Sequence, residues 1–415
     1  MKQLRLSRIA VLVAAIGFAA APELTNIAAH VAHAEEAMRP EVARIVHAAG
    51  ELYKAKKYKD ALAKIREADS ISGKTANESL TVERMRLSVA SAAGDNDAVI
   101  RSADAIVSSQ KLPAKEQLQM IQVLGNAYFK AGNYAKAAQT YNRYYAEGGT
   151  DPSLRPYMIQ AMNQSGDTAK AMKEVMADLA ADEKAGRTPS LSNLEFYADA
   201  ARRQKDIAGY NSALEKMVAY YGKKEYWVNL LNNVERKPGY SERLKLDLFR
   251  LKLALGQISK GSDYMEYSLM AIQSGFPAEA VKVVDAGYKA GALGTGADAD
   301  RHKRLRDMAN KALDDANKGA AAAEADAKQS KDGNAAVNLG FAYATAGKYD
   351  QGIALIEEGI KKDTLKHPDD AKLHLGLAQL QAGKKAVAIK TLKTVQGNDG
   401  TADIARFWVI YANQK

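Results

Sequence analysis

Residues Leu124 to Tyr141 read LGNAYFKAGNYAKAAQTY, and their spacing decides the fold. Ile121, Leu124, Gly125 and Tyr128 recur at helical intervals; after Ala131-Gly132-Asn133, the residues Tyr134, Ala137, Ala138 and Tyr141 do so again. That pattern predicts two short amphipathic helices joined by a tight turn. Gly125 and Ala137 are small enough to let the helices approach closely, and Tyr128, Tyr134 and Tyr141 fill the space around the contact.

Outward from this stretch the turn recurs. Lys56, Gly94, Gly132, Gly166, Gln204, Gly239, Gly275, Gly347 and Gly383 mark successive turns, spaced 38, 38, 34, 38, 35, 36, 72 and 36 residues apart. The interval of 72 is two periods with one marker missing. A chain of 415 residues that is 47% hydrophobic and 26% charged can bury a large core, and its nine prolines leave room for many helices. No run of alternating β-branched residues competes with that reading.

The leucine-glycine-aromatic, glycine-aromatic-alanine pattern resembles the tetratricopeptide repeat family, whose unit is about 34 residues. It returns at Asn338 to Ile356, where Leu339, Gly340, Tyr343, Gly347 and Tyr349 fit and Gly352 replaces the close-contact alanine. From His374, HLGLAQLQAGKKAVAIKTL places Gly376, Gly383, Ala388 and Leu392 correctly, with Gln379 and Lys385 at positions usually aromatic. Elsewhere the fit rests on period more than motif. The departure is largest at 190–255, where Gln204 and Tyr210 occupy positions expected to be small. The resemblance implies an all-α chain: an α-solenoid of about nine to ten helical hairpins in a right-handed superhelix, interrupted near 291–297. The expected organisation is a signal peptide at 1–34, an array at 35–290, an irregular helical linker at 291–333, and further repeats at 334–415. The final helix, Thr401 to Asn413, is expected to cap the last repeat with Ile404, Phe407, Trp408 and Tyr411.

The N-terminus has the form of a targeting segment. Lys2, Arg5 and Arg8 precede an apolar run from Ile9 to Ala21, and Ala32-His33-Ala34 offers a cleavage site before Glu35, with a cut nearer Ala21 as the alternative. The run is shorter than the roughly 20 residues of a membrane span. A periplasmic or secreted protein is expected.

Chemistry leaves few marks. Cysteine is absent, which removes disulfides, thiolate metal sites and cysteine nucleophiles. His367 and His374 are seven residues apart, which is no helical metal-ligand spacing, and no phosphate loop, zinc helix or nucleophile elbow occurs. Asp and Glu look scattered rather than paired in apolar surroundings. The reading is of a non-enzyme without cofactor or metal. The net charge of +10 draws half its excess from Lys223 to Lys260, where nine basic residues face four acidic ones. That segment motivates an alternative function, the binding of peptidoglycan or an anionic envelope polysaccharide.

The leading expectation is an exported scaffold binding protein or peptide partners in the bacterial cell envelope. By resemblance, the first helix of each repeat would line a concave groove. In this register its outward positions are His47, Tyr53, Lys54, Arg84, Gln122, Asn126, Phe129, Lys130, Gln160, Asn163, Tyr226, Asn229 and Asn233. An asparagine such as Asn126 often bonds a bound peptide's backbone in the family. Gln122 stands where some members carry a lysine that clamps a C-terminal carboxylate, so that clamp is not carried over.

Overall fold

The computed structural model describes residues 38–414. The signal segment read at 1–34 lies outside them. Every regular element in the described residues is helical, and no strand occurs among them. The described residues separate into two compact units, one up to Asp178 and one from Leu179, with the boundary inside one helix.

The first unit stacks hairpins. Helix α1 (Pro40–Lys54) is followed by α2 (Tyr58–Arg66), and α3 (Ala76–Ala93) by α4 (Asn96–Ser108). Next come α5 (Ala114–Lys130) with α6 (Tyr134–Ala146), and α7 (Arg155–Gln164) leading into α8 (Thr168–Lys184). The turns lie where the spacing puts them. Gly94, Gly132 and Gly166 have φ between 74° and 95°, and Lys56 adopts φ 58° in place of glycine. A side chain in that left-handed region costs about 1–2 kcal/mol relative to glycine, so the packing on either side must hold it there.

The opening motif packs as its spacing requires. Ile121, Leu124, Tyr128, Ala137 and Tyr141 are buried, and a Cβ on Gly125 would lie 2.9 Å from the Tyr141 ring. Tyr144 and Tyr145 then fix the next turn. The Tyr145 hydroxyl donates to the Asp151 carbonyl at 2.7 Å, and the Tyr144 hydroxyl accepts from the Asp151 N–H at 3.3 Å. Asp151-Pro152 opens a 3-10 turn, Pro152–Leu154, capped by Asp151, and α7 begins only at Arg155.

At the start of α3, Thr75 and Glu78 form a reciprocal capping box, a device worth about 1 kcal/mol. The fully buried Glu78 carboxylate also accepts the Arg39 backbone N–H at 2.8 Å and its Nε at 3.0 Å. Hydrogen bonds from the Arg39 side chain and backbone, joined by Thr75 N–H, hold that carboxyl at about 2.

The second unit is less regular. Helix α9 (Leu191–Arg203) pairs with α10 (Ile207–Tyr221) across a turn whose left-handed residue is Lys205, φ 59°, one position beyond the expected Gln204. The small buried residue there is Gly209, against Tyr197, and Tyr210 is half-buried beside it. Helix α11 (Lys224–Glu235) packs on α10, and α12 (Lys245–Ala254) packs on α13 (Gly261–Gln273). The expected sixth hairpin across Gly239 is instead a loop ending in a 3-10 turn, Glu242–Leu244.

Helices α13 and α14 (Pro277–Lys289) recover the hairpin. The glycine-rich stretch at 291–296 is a packed turn, with Leu293 buried against Gly287. It leads into α15 (Ala299–Gln329), a single 31-residue helix occupying the period whose marker is missing. Asp298 holds its N-cap position without a side-chain cap bond.

Helices α16 (Gly333–Thr345) and α17 (Tyr349–Lys361), then α18 (Pro368–Gln381) and α19 (Lys385–Leu392), are again hairpins. The last helix, α20 (Thr401–Gln414), covers α18 and α19 as expected, and also reaches back to α10 and α12. Phe407 meets Trp227 edge to face at 6.4 Å, Lys237 pairs with Asp403 at 2.8 Å, and Gln414 bonds the Val218 carbonyl. The second unit is therefore closed by contacts between segments more than 150 residues apart.

Candidate functional site

In the first unit the expected groove residues divide into two groups. Some join neighbouring helices: Arg84 of α3 pairs with Glu116 of α5, and Gln122 reaches Asp151 at 3.4 Å. Phe129 lies edge to face between Tyr134 and Tyr157, with centroids at 5.5 and 5.4 Å. Asn126 accepts from the Tyr141 hydroxyl at 2.8 Å, and Asn163 from the Thr168 hydroxyl at 2.9 Å. The others stay at the surface. His47, Tyr53, Lys54 and Lys130 are exposed and Gln160 is half-buried, with Lys54 bonded to Glu51 at 2.8 Å.

In the second unit, Asn233 donates to Asn211 at 2.9 Å, and Tyr226 bonds Glu195 at 3.4 Å with Lys223 over its ring. Asn229 is half-buried beside them, while Trp227 is core.

More than half of the cations in the basic segment are paired. Arg243 bridges Asp370 at 2.8 Å and Asp399 at 2.7 Å. Lys245 pairs with Glu266 at 2.5 Å, Lys252 with Glu235 at 2.7 Å, and Lys237 with Asp403 at 2.8 Å. Arg250 is buried. Five of the nine cations are thus engaged by carboxylates of their own unit. That weighs against a polyanion-binding surface, because the field they would project is neutralised where it arises.

Arg250 also corrects the reading of scattered acids. Its guanidinium donates to Asp247 at 2.6 Å and to both Glu279 oxygens at 2.8 Å, and all three residues are buried. Tyr267 donates to Glu279 at 2.7 Å, and His374 lies 3.0 Å from Asp247 while stacking on Phe341 at 4.3 Å. Phe276 and Phe341 flank the guanidinium at 5.0 and 4.6 Å. Sequence reasoning missed this cluster. Its only local signal is Asp247 three residues before Arg250 on α12; Glu279, Phe341 and His374 come from α14, α16 and α18.

Burial alone would raise the Asp247 carboxyl, but His374 and Arg250 outweigh it and hold the group at about 2, below its ordinary 3.8. The unfolded chain therefore takes up this proton first as pH falls. The carboxylate contributes about 2 kcal/mol above pH 4, and loses that contribution between about pH 4 and 2. Both tryptophans, Trp227 and Trp408, lie in the second unit. Urea midpoints followed by tryptophan fluorescence should be flat from about pH 5 to 7 and fall steeply below 4. Asp247→Asn should remove part of that acid slope.

Above the cluster a recess of about 550 Å³ opens among α12 to α14 and α16 to α20. Leu253, Leu377, Leu380, Tyr349, Trp408 and Tyr411 line it, with Lys282 and Lys385 as cations.

Residues 88–152 and 337–403 match the family model described as tetratricopeptide repeat. One region lies in each unit, running from the end of α3 through α6 and from α16 to the start of α20. Within these two regions the chain is similar to the tetratricopeptide repeat. Similar solved structures include the TPR2AB domain of yeast Sti1 in complex with pHSP90, at 15% identity and TM-score 0.24, covering 72% of this chain and 100% of that one. Yeast Tom70 is 12% identical with TM-score 0.24, covering 90% and 95%. No curated protein matches the chain.

Proposed function

We propose that the protein is a non-catalytic scaffold that is exported and binds protein or peptide partners in the bacterial cell envelope. The observation that carries the reading is the set of side chains left at the surface of α1, α5 and α7: His47, Tyr53, Lys130 and Gln160. An aromatic, an imidazole, an amide and a cation on a preformed helical face can bind an extended chain without an ordering cost to the scaffold. Hairpins supported by Arg84–Glu116 and Phe129–Tyr157 contacts hold that face in place. Export rests on the basic-then-apolar pattern of the first 34 residues.

The test is co-purification from cell envelopes of the full chain beside His47→Ala/Tyr53→Ala/Gln160→Ala, three substitutions at exposed or half-buried positions. A protein retained by the parent and lost by the variant, with the purified chain starting at Glu35, is the expected result. Equal retention, or a chain recovered from the cytoplasm with its N-terminus intact, would refute the groove and the export respectively.

A further inference from the structure

The recess in the second unit has the attributes of a ligand site and is separate from the face assigned to protein partners. Its volume, about 550 Å³, falls within the range of small-molecule pockets, and apolar walls with a few convergent polar groups are their usual make-up. The walls are Leu377 and Leu380 of α18, Tyr349 of α17 and Trp408 of α20.

The charges are unequal. Glu279, the carboxylate lining the recess, is taken up by Arg250 and Tyr267. Lys282 donates to the Thr345 carbonyl at 2.5 Å and Lys385 is exposed. Among the described residues neither lysine has an ion-pair partner. Trp408, 8% exposed, carries an indole N–H without a hydrogen-bond partner. Apolar walls, two uncompensated cations and an unmet donor in the wall define the complement of an apolar body bearing one negative charge.

We propose that this recess binds a small amphipathic carboxylate, its apolar body against Leu377, Leu380, Tyr349 and Trp408 and its acid group between Lys282 and Lys385. The ammonium groups recognise the acid and the walls exclude water from the rest. An aliphatic and an aromatic acid share this chemistry.

The test compares two fluorescent probes on the full chain: 1-anilinonaphthalene-8-sulfonate, an anion, and N-phenyl-1-naphthylamine, its neutral analogue. One saturable site should bind the anion about tenfold more tightly than the neutral dye. Lys385→Glu, at an exposed position, should lower anion affinity about tenfold and leave the neutral dye unchanged. Displacement by laurate identifies an aliphatic ligand, and displacement by indole-3-acetate an aromatic one. Leu380→Trp, which fills the recess, should weaken both dyes. The proposal is overturned by the absence of a saturable site, by equal affinity for the two dyes, or by binding indifferent to Lys385→Glu. Displacement by a short apolar peptide but by neither acid overturns it too, and assigns the recess to a peptide terminus.

Discussion

Arg250→Met should cost the second unit about 3–5 kcal/mol, because it removes the cation from a buried ionic cluster and leaves the anions behind. Methionine keeps the length and apolar stem of the side chain, so the packing between Phe276 and Phe341 changes little. What changes is charge. Asp247 and Glu279 become two buried carboxylates without the guanidinium that met both of them at 2.6 and 2.8 Å. His374 can still answer Asp247, and Tyr267 can still answer Glu279, so neither acid is wholly bare. Lost contact of the buried guanidinium with the two rings adds about 2 kcal/mol or more. Tryptophan fluorescence in urea is the direct readout, since Trp227 and Trp408 report on this unit alone. Glu279→Gln, which removes one charge and keeps an acceptor, should cost clearly less. A loss below about 1 kcal/mol for Arg250→Met would mean that the cluster is hydrated and contributes little.

The legible part of the fold was the part written locally. The Leu124 to Tyr141 hairpin is decided by residues within 20 positions of one another, and its small, aromatic and turn residues all fall as their spacing requires. The turns at Gly94, Gly132, Gly166, Gly275, Gly347 and Gly383 follow for the same reason: each needs left-handed backbone beside a helix end. Lys56 and Lys205 take that conformation without glycine, and the second of them displaced the expected marker by one residue. The closure of the second unit was not legible. Its contacts join Arg243 to Asp370, Asp247 to His374 and Lys237 to Asp403, pairs 127 to 166 residues apart. Periodicity carries no information about which distant helices meet.

The candidate site divides along the same line. A register fixes which residues of a helix point outward. The register does not say which of them neighbours have already engaged, and Asn126, Asn163 and Asn233 proved to be bonded within their own unit. The recess was invisible for a further reason. Its lining comes from α12 to α14 and α16 to α20, and an apolar residue on any one of these helices looks like ordinary core.

Gly352→Ala should destabilise the second unit by about 2 kcal/mol or more, whereas Gly319→Ala should stabilise the same unit by about 1. Both glycines lie inside helices, where alanine is favoured by up to about 1 kcal/mol through propensity alone. They differ in what a methyl group would meet. Around Gly319, on the exposed part of α15, nothing lies within 4 Å. A Cβ on Gly352 would stand 2.5 Å from the Gly340 carbonyl oxygen and 2.8 Å from the Ala344 nitrogen. Those are backbone atoms, which cannot rotate away. The clash is mutual, since a Cβ on Gly340 would lie 2.6 Å from the Gly352 oxygen. One turn pair further along, Gly333 and Gly359 repeat the arrangement at 2.3 and 2.6 Å. Four glycines thus set the crossing of α16 and α17 at backbone contact, closer than at Gly125, where the partner is the Tyr141 ring. Adding a methyl to Gly352 must separate the two helices, and α16 carries Phe341 into the ionic cluster. The stability losses of Gly352→Ala and Arg250→Met, measured from urea midpoints singly and together, should therefore not add, since sites sharing Phe341 are coupled. Stabilisation by Gly352→Ala would show that propensity outweighs contact here, and that the close crossing is not required by the fold.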